Sequence, residues 1–262
     1  MTTLLQRVRL GERLDDLDII DMHGHLGRPP FGVPDLSPDA VVASMDRIGV
    51  RTIVCSHIHC ICAGPTDANE QVLEAARAFP GRILGYVRLW PTDAETVRAE
   101  TETYLNRGFV GLKLHNTNGF AYTDAAYAPA LAMANERRMP ALLHTWGLAH
   151  EFEQVRTLAA CYPEVALLLG HSGASGAEAE YVQVAREFEN VYLEVCMSLG
   201  PRGLIDRMVE GTGVEKVVWG SDALFLNQAQ QLGKVIGSRL SDDLKRAVLS
   251  TNAQRLLGRI QR

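Results

Sequence analysis

Long apolar runs are missing from this 262-residue chain, and so is any excess of positive charge. No stretch approaches the roughly 18 apolar residues that cross a bilayer, so no membrane span is expected. A formal net charge of -5 leaves no basic face, which argues against nucleic acid as a partner. Residues 1–16 carry charges throughout and contain no apolar core of an export signal. The five cysteines form no spaced disulfide framework, and their odd number points to a reducing, cytoplasmic setting. Internal repeats, linkers and low-complexity segments are absent as well. What remains is 47% hydrophobic and 22% charged, enough for the sizeable core of an ordinary soluble globular protein.

Short apolar runs alternate with helical patterns along the whole chain. Strands are expected near residues 17–20, 50–56, 83–89, 109–115, 140–144, 165–169, 191–195 and 216–219. Helices are expected between them. Ser37-Pro38 supplies an N-cap serine and a first-turn proline, Val41, Met45 and Ile48 form a stripe, and Gly49 ends it. Thr92-Asp-Ala-Glu95 reads as a capping box. Further helical stretches run near 67–79, 126–138, 149–161, 177–188 and 203–209, and the tail after Leu226 is helical. Eight strand–helix units, one roughly every 30 residues, predict an α/β fold, a (β/α)8 TIM barrel, with residues 1–262 as its one domain.

In such a barrel the chemistry sits at the C-terminal ends of the strands. There the sequence places His23 and His25 (first strand), His144 (fifth), His171 (sixth) and Asp222 (eighth). Read with period two, Ile19, Asp21, His23 and His25 share one strand face, which lets two imidazoles grip one ion. Any one of these residues alone would pass for a polar strand end. Converging at one rim, they point to a divalent metal centre.

The segments Ile20-Asp-Met-His-Gly-His25, Gly111-Leu-Lys-Leu-His115, Leu142-Leu-His-Thr145, Gly170-His-Ser172, Trp219-Gly-Ser-Asp222 and Asn252-Ala-Gln-Arg-Leu-Leu257 together resemble the amidohydrolase superfamily over nearly the whole chain. Within it the sequence is similar to the amidohydrolase-related branch that includes aminocarboxymuconate semialdehyde decarboxylase. The resemblance implies one divalent ion held by His23, His25, His144 and Asp222: zinc foremost, with manganese, iron or cobalt as alternatives. It also implies His171 beside the metal as a polarising or proton-handling group, and a homodimer. An ion of this kind brings bound water to a pKa near about 7, Asp222 is placed to take the water's proton, and His171 as a donor would steady an oxyanion.

Lys113 has three readings: a carboxylated lysine bridging two ions, as in some superfamily members; an anchor for a substrate carboxylate or a partner of Glu194; or a structural residue. His115 shares its strand face, and Arg88, near the end of the third strand, is placed to clamp a carboxylate or to pair with another strand. Cys55, His57, His59, Cys60 and Cys62 match no common structural-zinc spacing, so His57 and His59 are expected to line the pocket or pack the loop. Trp90, Trp146 and Trp219 adjoin strand ends, as pocket walls or as core. The Pro/Gly-rich loop 27–38, with Arg28 and Phe31, suits a lid. The expected activity is metal-dependent hydrolysis of a small amide, ester or lactone, and release of carbon dioxide from a carboxylated substrate would decide against it. In that case the same ligands would serve non-oxidative decarboxylation of an aromatic or unsaturated acid. Either way the partner is a small molecule carrying a carboxylate.

Overall fold

Each barrel strand grows from one of those apolar runs. A computed structural model describes residues 2–29, 32, 35–62, 64, 66–223 and 225–261. The strands are β1 Ile19–Leu26, β2 Val50–His57, β3 Ile83–Arg88, β4 Gly111–Leu114, β5 Pro140–His144, β6 Ala166–Gly170, β7 Val191–Glu194 and β8 Val217–Val218. They pair in parallel in the order of the sequence. The helices are α1 Leu4–Arg9, α2 Pro38–Ile48, α3 Ala68–Ala78, α4 Ala94–Asn106, α5 Ala128–Glu136, α6 Ala149–Cys161, α7 Glu178–Glu187, α8 Leu204–Thr212, α9 Gln228–Ile236, α10 Asp242–Arg246 and α11 Asn252–Gly258. None is long and apolar enough to cross a membrane.

Local chemistry accounts for the helix ends. Ser37 Oγ accepts the Ala40 N–H at 3.2 Å, Pro38 opens α2, and Gly49 closes it at φ 80°, a backbone state that costs glycine little. At α4 the cap sits one residue later than expected. Asp93, not Thr92, accepts the Thr96 N–H at 2.8 Å, because its carboxylate reaches the first-turn donors more strongly than a hydroxyl. Residues 4–9 form a helix that the charged N-terminus did not announce.

A large cluster of buried side chains lies between strands and helices, and a smaller one made mostly of strand residues fills the barrel. Ile19 belongs to the first, whereas Ile20 and Met22 belong to the second. Ile19 thus alternates with Ile20 and Met22 as period two requires, and the departure lies in the register against β2, which shifts between Ile19 and Ile20 and again between Asp21 and Gly24. Such irregularities re-aim side chains next to functional sites.

β8 is only two residues long, so closure comes from the chain just after it. Met22 N–H donates to Trp219 O at 3.1 Å, Asp222 N–H to His23 O at 2.7 Å, and His25 N–H to Ala223 O at 2.8 Å. These bonds close the barrel and set Asp222 against the backbone of His23 in one step.

Candidate active site

Asp21, the carboxylate ahead of the two β1 histidines, braces them. It is fully buried and accepts from His23 N–H at 3.1 Å, Ser221 N–H at 2.9 Å, Gln228 Nε2 at 2.8 Å and the Ser221 hydroxyl. Burial raises its pKa to about 6 even against these donors, so it is an anion at neutral pH. Three of the four bonds, from Ser221 and Gln228, tie β1 to the chain after β8.

Beyond it, five imidazoles gather at the strand ends. The His23 and His25 ring centroids are 5.2 Å apart, His23 and His171 are 5.1 Å apart, and His144 lies 4.4 Å from His171. His115 stacks on His144 at 3.9 Å. Asp222 Oδ1 stands 3.0 Å from His25 Nε2 and 3.5 Å from His23 Nε2. Lys113, wholly buried, places Nζ 3.0 Å from His23 Nε2. Among the described residues no carboxylate lies within ion-pair distance of this ammonium. His171 and Asp222 both adopt positive φ, 63° and 58°, a strained state for side-chain-bearing residues that clusters at functional sites.

Three more residues complete the cluster: Ser56 and Cys196, which the sequence did not single out as site residues, and Glu194, which it offered only as a partner of Lys113 and which bonds His23 instead. Glu194 Oε2 lies 3.1 Å from His23 Nδ1 and also accepts the His171 N–H at 3.2 Å and the Cys196 thiol at 3.1 Å. The Cys196 carbonyl faces His171 Nδ1 at 3.0 Å, and Ser56 Oγ faces His25 Nδ1 at 3.2 Å. A Cβ at Gly220 would collide with Glu194 Oε1 and His23, so only glycine lets the chain after β8 pass this close. The signal for Glu194 was a lone charge inside the apolar run of β7.

Burial, with Lys113 adding to it, drives His23 well below the usual imidazole range. It does the same to His144, beside His115, and lowers His171. His115 is pushed down to about 2 by burial and Lys113. His25 goes the other way. Burial alone would lower it, but hydrogen bonds to Asp222 and Cys60 raise it to about 9. Burial alone would raise Asp222, but the hydrogen bond from His25 outweighs it and keeps the carboxyl low. Burial lifts Glu194 to about 8.

The donor set fits a divalent ion. His23, His25 and Asp222 offer ligand atoms within 4.8 Å of one another, and His144 Nε2 is buried without a partner. Nitrogen and carboxylate donors suit zinc, manganese, iron or cobalt. A second grouping, His23, His171 and Cys196, lies on the Nδ1 side of the rings. There Glu194 and the Cys196 carbonyl already occupy both Nδ1 atoms, so it is a hydrogen-bond cluster.

Of the other residues singled out in the sequence, Lys113 and His115 join the cluster. Arg88 and His57 form no hydrogen bond to it. Arg88 donates to His59 O at 2.9 Å and lies over Trp90 at 5.2 Å. His57 bonds Gln71 at 3.3 Å and is pushed down to about 4 by burial. His59 reaches Arg28 O at 2.9 Å, holding the start of the 27–38 loop. Phe31 of that loop lies outside the described residues. Trp219 is core, whereas Trp146 is 45% exposed with its ring 4.2 Å from His144.

The chain matches the amidohydrolase family model over residues 20–259 and belongs to that family. A comparison with curated protein sequences gives no match. Among solved structures it is similar to 2,6-dihydroxybenzoate decarboxylase in complex with 2,6-dihydroxybenzoate, at 17% identity over 92% of this chain and 99% of that one, with a TM-score of 0.76. A dihydroxybenzoic acid decarboxylase from Polaromonas with bound manganese gives 18% identity, 92% and 96% coverage and a TM-score of 0.70. A putative 2-pyrone-4,6-dicarboxylic acid hydrolase from Pseudomonas putida gives 18%, 94% and 99%, and 0.72. At these identities the likeness speaks for the fold.

Proposed function

We propose that the protein is a metal-dependent, non-oxidative decarboxylase of a small aromatic or unsaturated carboxylic acid. The observation that carries this is the buried Lys113 ammonium. It lies among imidazoles with no carboxylate of the described residues in direct ion-pair contact, Asp222 and Glu194 acting on it only from farther away, so a substrate carboxylate beside it would be stabilised. The decarboxylases among the similar structures support the choice of reaction. It reverses the order expected from the sequence, where hydrolysis came first.

His23, His25, His144 and Asp222 would hold the divalent ion, manganese as in the Polaromonas relative or zinc as first expected, and the bound ion would draw electron density from the substrate. Lys113 orients the departing carboxylate. Asp222, ionised in the resting site, relays the proton: it takes one up from solvent and delivers it to the carbon that loses the carboxylate. The C–C bond breaks, its electron pair stays on that carbon and takes up the proton, and carbon dioxide leaves without any redox partner. Trp146 offers an exposed aromatic wall beside His144, and His115, whose Nδ1 accepts the Thr117 backbone N–H at 3.3 Å, keeps its proton on Nε2 as a donor.

Hydrolysis is the second reading, favoured by the similarity to the pyrone-dicarboxylate hydrolase. Both are tested by incubating manganese- or zinc-loaded protein with a panel of hydroxybenzoates, unsaturated acids and lactones. Carbon dioxide with a product lighter by the carboxyl group supports decarboxylation. A product heavier by one water supports hydrolysis, and no turnover of any carboxylate would overturn both.

A further inference from the structure

A neutral imidazole has one proton to place, and the neighbours of His23 agree on where it goes. Glu194 Oε2, 3.1 Å from Nδ1, is the point on which three donors converge. It accepts whether Glu194 is ionised or carries a proton on Oε1, the oxygen that is buried without a partner. On the other side, the Lys113 ammonium at 3.0 Å can only donate, so Nε2 must present its lone pair. Nδ1 of His23 is therefore protonated.

The same logic runs through the second pair. The Cys196 carbonyl can only accept, so His171 Nδ1, 3.0 Å away, carries the proton and His171 Nε2 bears a lone pair. His144 Nδ1 lies 3.1 Å from that lone pair and donates to it. This leaves the lone pair of His144 on Nε2, the atom that is buried and unpartnered.

We infer that Glu194 and the Cys196 carbonyl are the positioning groups of this centre: they fix the tautomers of His23 and, by relay through His171, of His144, so that both Nε2 lone pairs stand ready for the ion. The inference rests on the metal-dependent reading above and gives His171 a positioning duty in the resting protein. It is a carboxylate–histidine arrangement of the kind that tunes metal ligands, with the second histidine oriented through a third.

The test is nitrogen-15 histidine NMR on the metal-free protein, paired with manganese(II) affinity from the EPR signal of the free ion. The expected spectrum has His23, His144 and His171 as Nδ1–H tautomers. Glu194→Ala is expected to weaken manganese binding by about 10- to 100-fold. Glu194→Gln, whose amide oxygen can still accept, should keep the His23 tautomer and lose less. In His171→Phe, His144 should become a tautomer mixture while His23 is unchanged. An Nε2–H tautomer on His23 or His144 in the wild type would overturn the inference, as would wild-type affinity in Glu194→Ala. Should that variant fail to fold, the wild-type spectrum and Glu194→Gln still decide. A wild type that binds no manganese or zinc would sink the metal-dependent reading, and the tautomers would then be judged from the spectrum alone.

Discussion

Replacing Lys113 with methionine should move metal affinity and catalysis in opposite directions. The Lys113 ammonium holds the His23 Nε2 lone pair at 3.0 Å, the same lone pair that an ion would need. Loading the site must therefore break a hydrogen bond with a charged donor, a contribution of about 1.5–3 kcal/mol, and set a second positive charge beside the first. Methionine fills similar volume without the donor or the charge. Taking about 2 kcal/mol for the bond alone, manganese or zinc should bind about 30-fold more tightly to Lys113→Met, as read by isothermal titration. Without the ammonium, the substrate carboxylate loses its charged partner, and kcat/KM should fall by about 100-fold. A variant that merely unfolds would lose both. The reasoning would be refuted by weaker metal binding in Lys113→Met together with two ions per wild-type chain, because a carboxylated Lys113 would then be a ligand and not an obstacle.

Asp222→Asn should lower turnover by about 100- to 10,000-fold while keeping manganese affinity within about tenfold, measured by steady-state kinetics beside metal titration; retained turnover would remove Asp222 as the proton carrier. His25 is held protonated up to about pH 9 by Asp222, and its Nε2 must shed that proton to bind an ion. Because the folded pKa is raised, the proton is present below pH 9 and opposes loading there, so metal affinity should rise about tenfold per pH unit towards 9, with about one proton released per ion. Titration in buffers of different ionisation enthalpy would count it, and no release at pH 7 would contradict the pairing. Asp21→Ala should destabilise the fold by about 3–5 kcal/mol in urea unfolding, because it strands four buried donors; a loss under about 1 kcal/mol would show that the brace is dispensable.

The barrel was legible because its signals are local. Pro140–His144 and Ala149–Cys161 appear with the bounds read from apolar runs and period, and α2 follows from a serine, a proline and a glycine. The errors fall where tertiary bonds outweigh local pattern. β8 shrinks to two residues because its neighbours spend their hydrogen bonds on closing the barrel against β1. β1 shifts register twice against β2 beside that closure. Thr92 yields the cap to Asp93 because either residue satisfies the motif, and only geometry tells which carboxylate or hydroxyl reaches the N–H.

For the site, the sequence could name ligand types but not the groups that orient them. A histidine at a strand end is visible as a departure from apolar pattern, and five of them converge as expected. Glu194 and Cys196 reach His23 from about 170 residues away, and Cys196 meets His171 through a backbone carbonyl, which no residue type encodes. Asp21 was read as one more polar residue on the strand face, yet its bonds from Ser221 and Gln228 make it the tie between the two ends of the barrel sheet. Arg88 and His57 show the converse error. Both sit at strand ends, but Arg88 Nε donates to His59 O and His57 Nε2 bonds Gln71, so neither is joined to the cluster by these bonds. Which strand-end residue serves chemistry is decided by which of its atoms remains unspent. By that measure His144 Nε2, buried and unpartnered, and the Lys113 ammonium, without a carboxylate in ion-pair contact among the described residues, are the atoms on which the proposed ion and substrate sites rest.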